Sequence, residues 1–258
     1  MRALLGVAVL LILAACAPQL PEPTAPTTLR AHVLETVPHD TAAFTEGLEI
    51  DDGILYEGTG LEGKSDLRAT DPETGRVTRR TPLPRDLFGE GITVVDDVIW
   101  QLTWQNGVAI KRDRTTFAEL GRATYDGEGW GLCHDGRRLV MSNGTARLTF
   151  RDPDTFRETG HTEVTDADGR PVTQLNELEC AGGHVYANVW KTDRIVRIDP
   201  GDGKVTATVD LAGLLPAAQR ADADVLNGIA AIPGTDEFLV TGKLWPTMFR
   251  VKFVTEGD

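Results

Sequence analysis

Five short segments of the chain resemble one another, and their spacing constrains the fold more than any other feature of the sequence. They are residues 44–48, 88–92, 129–132, 175–179 and 226–229. With Gly47, Gly91, Gly131, Leu178 and Gly228 taken as equivalent positions, the steps between them are 44, 40, 47 and 50 residues. Repeats of roughly 40–50 residues that each contain several strands are typical of the blades of a β-propeller.

The sequence after each segment predicts further strands. A turn rich in Asp and Gly precedes an apolar strand, a third strand follows, and four of the five repeats continue into a fourth, alternating strand. The last repeat lacks the fourth strand, but residues 31–37 alternate in the same way and belong to no repeat. The sequence therefore predicts an all-β, five-bladed β-propeller with four antiparallel strands per blade, whose ring an N-terminal strand closes, which removes exposed sheet edges.

The N-terminal residues have the features of an export signal. A basic start precedes the apolar run 3–13, which is too short to span a membrane and lies just before Cys16. This arrangement resembles a bacterial lipoprotein signal, which implies cleavage before Cys16 and lipid on its thiol; the alternative is an ordinary signal peptide with an incidental cysteine. We expect an exported protein that is lipid-anchored to the cell envelope on the periplasmic face, and Ala17 is compatible with outer-membrane sorting. The predicted division is a signal peptide at 1–15, the lipidated cysteine and a Pro-rich linker at 16–30, and the propeller at 31–258.

The charge of the chain excludes one class of partner. Lys and Arg total 26 and Asp and Glu total 39, which gives a net charge of −13. A strongly acidic domain repels phosphate backbones, so we expect no nucleic-acid partner. It also repels anionic lipid surfaces, so membrane attachment would depend on the lipid at Cys16. We expect a monomer.

Two cysteines remain in the propeller, Cys133 and Cys180. Each follows its repeat position by two residues, so their side chains should point the same way around the ring instead of toward each other. A disulfide needs converging Cβ atoms. The sequence therefore favours two buried free thiols over a disulfide, and no Cys/His spacing indicates a zinc site.

Polar and aromatic residues concentrate at one end of the predicted strands. The repeat positions bring together Glu46, Glu90, Trp130, Glu177 with Asn176 beside it, and Asn227, while Trp104, Trp190, Lys243 and Trp245 follow second strands. One interpretation is that the tryptophans only pack between blades; the set as a whole favours an aromatic-walled pocket. Apolar surroundings raise the pKa of a carboxyl group, which lets it accept and donate protons near neutral pH.

From about residue 40 to the C-terminus, the motifs resemble those of the plant-type glutaminyl-peptide cyclotransferase family. The matching stretches are 44–48, 57–61, 88–93, 129–132, 175–179, 188–190, 224–230 and 241–246. The resemblance implies a five-bladed propeller that converts the N-terminal glutamine of peptides or proteins to pyroglutamate and releases ammonia. It implies no metal ligands and no cofactor for catalysis, and it leaves a structural cation in the central channel open.

The resemblance also implies roles for individual residues. Glu90 would be the catalytic acid/base, and Asn176 would hold polar groups of the substrate. The remaining substrate-binding residues implied are Phe44, Glu46, Phe88, Trp104, Trp130, Trp190 and Lys243. Glu46 departs from the family pattern, which has Gln there, so a second carboxyl group stands near Glu90. It would either raise the pKa of Glu90 by repulsion, or pair with Lys243 or with the substrate's ammonium group.

Two other functions remain as alternatives. The first is a non-enzymatic envelope lipoprotein, a scaffold or a peptide-binding module, because propellers serve many functions. The second, weaker alternative is a calcium-dependent lactonase-like propeller, which would need several oxygen ligands around one ion.

Overall fold

The computed structural model describes residues 26–255 of the 258. This part of the chain is built almost entirely of β-strands, with one short 3-10 helix at Ala217–Gln219. None of its helices is long and apolar enough to cross a membrane. The predicted signal peptide and the predicted lipidation of Cys16 lie outside the described residues and stay predictions. The strands are β1 (Thr27–Pro38), β2 (Thr45–Asp51), β3 (Ile54–Thr59), β4 (Asp66–Thr70), β5 (Val77–Pro82), β6 (Gly89–Val95), β7 (Val98–Thr103), β8 (Val108–Asp113), β9 (Glu119–Thr124), β10 (Leu132–His134), β11 (Leu139–Met141), β12 (Arg147–Arg151), β13 (Glu158–Glu163), β14 (Leu175–Ala181), β15 (His184–Val189), β16 (Arg194–Ile198), β17 (Val205–Asp210), β18 (Leu226–Ala231), β19 (Glu237–Gly242) and β20 (Thr247–Thr255).

The strands form three sheets of four strands and one sheet of eight. The first three sheets contain β2–β5, β6–β9 and β10–β13 in chain order, all antiparallel. The eight-stranded sheet has the order β14-β15-β16-β17-β1-β20-β19-β18. The first strand of each repeat is β2, β6, β10, β14 or β18, and the strand after it is the second strand. The five first strands contact one another in that cyclic order, and β18 contacts β2. The predicted all-β, propeller-like architecture is confirmed.

Strand β1 joins the two halves of the eight-stranded sheet. It pairs antiparallel with β20 along most of its length, and its first residues, Thr27 to Arg30, pair parallel with β17. The strand begins at Thr27, four residues before the predicted strand. The N-terminal segment thus occupies the outer position that the last repeat leaves empty, as predicted, and it also covers the outer edge of β17.

The apolar core lies between neighbouring sheets. Leu102 of β7 packs in one buried cluster with Leu132 and Leu139 of the next sheet. Similar clusters fill the other junctions. Because each sheet buries one face against the next, the sheets hold one another in place and leave the strand ends free to form a site.

Close approach of the first strands fixes the centre of the molecule. A Cβ atom on Gly47 would lie 2.5 Å from the backbone nitrogen of Ile92, and one on Gly91 would lie 2.6 Å from that of Leu132. Only glycine allows backbones to approach this closely. A Cβ atom on Gly131 would lie 2.9 Å from the Cα atom of Glu177, so Glu177, and not Leu178, is the equivalent residue of the fourth repeat.

Among the residues at the equivalent positions of the five first strands, Glu177 is therefore the one with a long side chain. This side chain occupies the centre of the ring that the first strands form. Its carboxylate accepts hydrogen bonds from the backbone N–H groups of Leu48 at 3.1 Å and Ile229 at 2.9 Å. The sequence had placed Glu177 among the pocket residues, but the corrected register turns it away and puts Asn176 there. Burial, together with the charge of Glu179, raises the pKa of Glu177 well above its ordinary value.

The expectation of two free thiols is wrong, because Cys133 and Cys180 form a disulfide with Cα atoms 5.4 Å apart. The corrected register explains the error: Cys133 lies two residues after Gly131, but Cys180 lies three residues after Glu177. In each first strand, the side chain two residues after the equivalent position points toward the neighbouring first strand. There it meets the residue that lies three residues after that strand's equivalent position. Glu49 and Glu179 show the same relation, since they accept hydrogen bonds from the N–H groups of Val94 and Ala231.

We expect Glu177→Ala to destabilise the fold strongly. The substitution leaves two buried N–H donors without an acceptor, which costs about 2–6 kcal/mol of unfolding free energy. Urea unfolding measures the change. Glu62→Ala, at an exposed carboxyl group, serves as the control and should stay within about 0.5 kcal/mol of the parent. An equal effect of the two substitutions would contradict the structural role of Glu177.

We expect thiol labelling of the unfolded protein to find Cys133 and Cys180 only after reduction. Reduction should lower the free energy of unfolding by about 2–5 kcal/mol, because the bond closes a long loop in the unfolded chain. Mass spectrometry of the labelled peptides measures the first effect and urea unfolding the second. Labelling of both cysteines without a reductant would contradict the disulfide.

Candidate active site

One cavity, of about 330 Å³, contains the residues singled out by the sequence. It lies where the first strands begin and the second strands end. All nine predicted site residues line it, and three further residues join them. The lining is Phe44, Glu46, Phe88, Glu90, Trp104, Trp130, Asn176, Trp190, Lys191, Asp224, Val225 and Lys243.

A repeated backbone hydrogen bond positions the residues that follow the second strands. The N–H of Trp104 donates to the carbonyl of Phe88 at 3.0 Å, and the N–H of Lys243 donates to the carbonyl of Val225 at 2.9 Å. Trp190 donates in the same way to Gln174 at 2.8 Å. Each bond links the end of a second strand to the residue before a first strand, so these side chains converge on one opening.

Lys243 and Glu46 form a buried ion pair. The Nζ atom of Lys243 lies 2.6 Å from Oε1 of Glu46, and the two side chains are 7% and 2% exposed. The amide of Asn227 donates to Oε2 of Glu46 at 3.2 Å. The ammonium group also lies 4.6 Å from the ring centroid of Phe44, a cation–π contact. A buried charge needs this degree of pairing, and the contact with Lys243 favours the ionised form of Glu46.

Glu90 lies beside this pair, and its surroundings favour the protonated form of its carboxyl group. Burial and then the charge of Glu46 raise the pKa of Glu90 well above its ordinary value, and the Glu90 side chain is hydrogen-bonded to Glu46. Burial raises the pKa of Glu46 to about 7, while Lys243 opposes that shift. Two carboxyl groups this close cannot both ionise readily. Because the lysine favours the charge on Glu46, the shared proton resides on Glu90.

Two buried polar atoms in the pocket have no hydrogen-bond partner among the described residues. They are Oε2 of Glu90 and Oδ1 of Asn176. Buried acceptors without a donor are costly in a finished fold. Both atoms belong to residues that line the cavity, so an N–H group of a bound molecule could satisfy them there.

Aromatic rings wall the pocket on two sides. On one side Phe88 packs edge-on against Phe44, with centroids 6.2 Å apart, and at a tilt against Trp104, with centroids 5.6 Å apart. On the other side Trp130 meets Trp190 edge-on at 5.4 Å. Walls of this kind exclude water and strengthen the electrostatic interactions inside.

Two residues that the sequence pattern placed at the site lie elsewhere, and three residues that line the cavity were not predicted. Glu177 lies on the axis, as described above. Trp245 turns into the core, where its indole N–H donates to the carbonyl of Asp224 at 2.9 Å. Lys191, which directly follows Trp190, was missed. Asp224 and Val225 were also missed, although they belong to a stretch on which the family resemblance was based.

Within residues 26–255, no group of three or more His, Cys, Asp or Glu side chains is arranged to hold a metal ion. The prediction that catalysis needs no metal stays a prediction.

Comparison with known proteins decides the family. A family model described as glutamine cyclotransferase matches residues 6–253. The chain belongs to the glutamine cyclotransferase family. The glutaminyl-peptide cyclotransferase of Arabidopsis thaliana is 38% identical over 226 residues, which cover 85% of this chain and 70% of the plant protein.

Solved structures agree with this family and with the fold. The glutaminyl cyclase of Myxococcus xanthus superposes with a TM-score of 0.81 at 37% identity, covering 89% of this chain and 98% of that one. The β-propeller domain of Cps50 (Swd1) from Myceliophteria thermophila matches with a TM-score of 0.51 at 9% identity, covering 86% and 99%. At that identity the second match shows the fold alone, which is a β-propeller.

We expect Glu46→Gln to lower the pKa of Glu90. The substitution removes the neighbouring charge that raises this pKa, and it leaves Lys243 without its carboxylate partner, so both changes favour ionised Glu90. A carboxyl ¹³C NMR titration measures the pKa, with the Glu90 resonance assigned by its loss in Glu90→Gln. An unchanged or raised pKa would contradict the coupling of Glu46 and Glu90.

Proposed function

We propose that this protein is a five-bladed propeller enzyme that converts the N-terminal glutamine of peptides or proteins to pyroglutamate, with Glu90 as the acid/base. One observation carries the proposal. The buried carboxyl group of Glu90 has an open oxygen and faces an aromatic pocket, next to an ion pair whose negative charge favours the protonated form of that group. The activity of the relatives in the family supports the same reaction.

The cyclic contacts of the first strands support five blades. Three blades are the four-stranded sheets, and the eight-stranded sheet counts as two blades that β1 joins. One of these is β14–β17. The other consists of β18, β19 and β20, with the part of β1 from Leu29 to Pro38 as its outer strand.

Cyclisation is intramolecular, so the enzyme must fix one rotamer of the glutamine and move protons. The α-amine of a peptide has a pKa of about 7.7–8.0. Burial and the charge of Glu46 raise the pKa of Glu90, which narrows the difference between its pKa and that of the amine and so makes proton transfer between the two easier. The pocket thus sets the protonation states that ring closure requires.

The carboxyl group of Glu90 alone can carry out both proton transfers of the reaction. The amine nitrogen attacks the side-chain amide carbon and forms a tetrahedral intermediate with a positive ring nitrogen and a negative oxygen. Glu90 donates its proton to the amide nitrogen and then accepts one from the ring nitrogen. The carbon–nitrogen bond breaks, ammonia leaves, the carbonyl re-forms, and Glu90 is again protonated. Asn176 and the ammonium group of Lys243 line the same cavity and would stabilise the negative oxygen.

We also propose that the protein works outside the cytoplasm as a lipid-anchored monomer, attached to the envelope through Cys16. The disulfide between Cys133 and Cys180 supports export, because disulfides persist in oxidising compartments. Its partners would be the substrate peptide and the membrane that holds the lipid, with no nucleic acid.

We expect Glu90→Gln to lower kcat by about 10²–10⁴-fold, because a positioned acid/base contributes that much. Ammonia release from a Gln-initiated peptide, with mass spectrometry of the product, measures the loss. Glu73→Gln, at an exposed carboxyl group in the turn between β4 and β5, at the end of the sheet away from the cavity, should keep full activity. Activity of Glu90→Gln within a few-fold of the parent would refute the role of Glu90.

The same experiment separates the alternatives. A scaffold or peptide-binding module would bind the peptide without releasing ammonia. A lactonase-like propeller would hydrolyse a lactone in a calcium-dependent way and leave the peptide unchanged.

A further inference from the structure

The loop before β10 places one carboxylate between the two aromatic walls of the pocket. Oε2 of Glu128 accepts the indole N–H of Trp104 at 3.0 Å and that of Trp130 at 2.9 Å. Its second oxygen, Oε1, accepts the side-chain amide of Gln105 at 2.9 Å. Glu128 itself is not among the residues that line the cavity.

The two tryptophans lie next to strands of different sheets, so a contact between them is needed to fix the relative position of their rings. Trp104 follows β7, and its side chain is one of the most exposed large apolar groups of the described chain, with 36% of the residue accessible. Burial alone therefore does not fix its rotamer. Trp130 precedes β10 and is held on one face by Gly144, where a Cβ atom would lie 2.7 Å from the ring. The carboxylate of Glu128 thus links the ring of Trp104, which is loosely held, to the ring of Trp130, which is firmly held.

Glu128 is itself held in place. The N–H of the next residue, Gly129, donates to the carbonyl of Trp104 at 3.0 Å, which anchors the loop beside the ring. Partial burial opposes ionisation of the Glu128 carboxyl group, but hydrogen bonds from Gln105, Trp130 and Trp104 lower its pKa below the ordinary value. It is therefore a carboxylate wherever a peptide amine is free, and its hydrogen bonds are charge-assisted.

We propose that Glu128 is a positioning residue of this site, which holds the indole rings of Trp104 and Trp130, one from each aromatic wall, in a fixed arrangement around the substrate's glutamine side chain. This inference rests on the proposed function, because the wall matters only if a bound side chain must be bent for ring closure. A wall that moves loses the near-attack geometry, and this loss appears in kcat more than in KM.

The first test is spectroscopic and does not depend on activity. Among the five tryptophans, the indole N–H resonances of Trp104 and Trp130 should both shift in Glu128→Ala, and their exchange with solvent should become faster. Single Trp→Phe variants assign the resonances. Asp126→Asn removes an exposed negative charge from the same loop and is the matched control, in which both resonances should stay in place. Unmoved resonances in Glu128→Ala would overturn the proposal.

The second test is kinetic. Glu128→Ala should lower kcat for a Gln-initiated peptide by about ten- to hundredfold, as expected for loss of charge-assisted hydrogen bonds, while thermal unfolding stays cooperative and begins well above the assay temperature. In a background with Trp104→Phe and Trp130→Phe, which keep aromatic rings without N–H donors, the same substitution should have less than about a twofold effect. A full, independent effect in that background would mean that Glu128 does not act through the indoles, and would overturn the proposal.

Failure of the proposed function gives a different result. If the parent protein released no ammonia, both the proposed function and the role of Glu128 in turnover would fall. An active parent with an unaffected Glu128→Ala variant would overturn the positioning role alone.

Discussion

The close approach of the first strands around the axis determines the rest of this structure. At Gly47, Gly91 and Gly131 any side chain would collide with the backbone of the neighbouring strand. The residue before each glycine is then forced to the rim, where Glu46, Glu90 and Trp130 meet although more than 80 residues separate the first from the last. The pocket is a consequence of this packing, and Glu177 completes it from below by satisfying two backbone donors at the axis.

The electrostatics of the pocket follow from placing two carboxyl groups and one lysine in that rim. Burial alone would protonate both carboxyl groups, but the contact between Lys243 and Glu46 assigns the charge to one of them. The remaining proton belongs to Glu90, which is also the group with an open oxygen toward the cavity. A buried ion pair adds little to stability as a rule, and here its role is to set the protonation of its neighbour.

The repeat spacing predicted the sheets and brought seven of the nine predicted site residues together, because equivalent strand positions must converge in a propeller. Phe44 and Phe88 were predicted from the family resemblance alone. The repeat spacing failed where one residue of register mattered. Assigning Leu178 instead of Glu177 reversed the direction assumed for Cys180, and with it the disulfide. The sequence did contain the signal, since Leu48, Ile92, Leu132 and Ile229 each directly follow the glycine of their repeat, and Leu178 follows Glu177 in the same way. Glu128 was missed for another reason: its role depends on two indole groups that meet only in the folded protein.

The central claim is that Glu90 holds a proton at neutral pH while Glu46 remains ionised. Infrared difference spectroscopy of the parent against Glu90→Gln at neutral pH tests it directly, because the carbonyl stretch of a protonated carboxyl group is separate from the bands of a carboxylate. The difference spectrum should contain a protonated carboxyl band that the variant lacks. A spectrum that shows only the loss of carboxylate bands would mean that Glu90 is ionised in the resting enzyme, and would contradict the account.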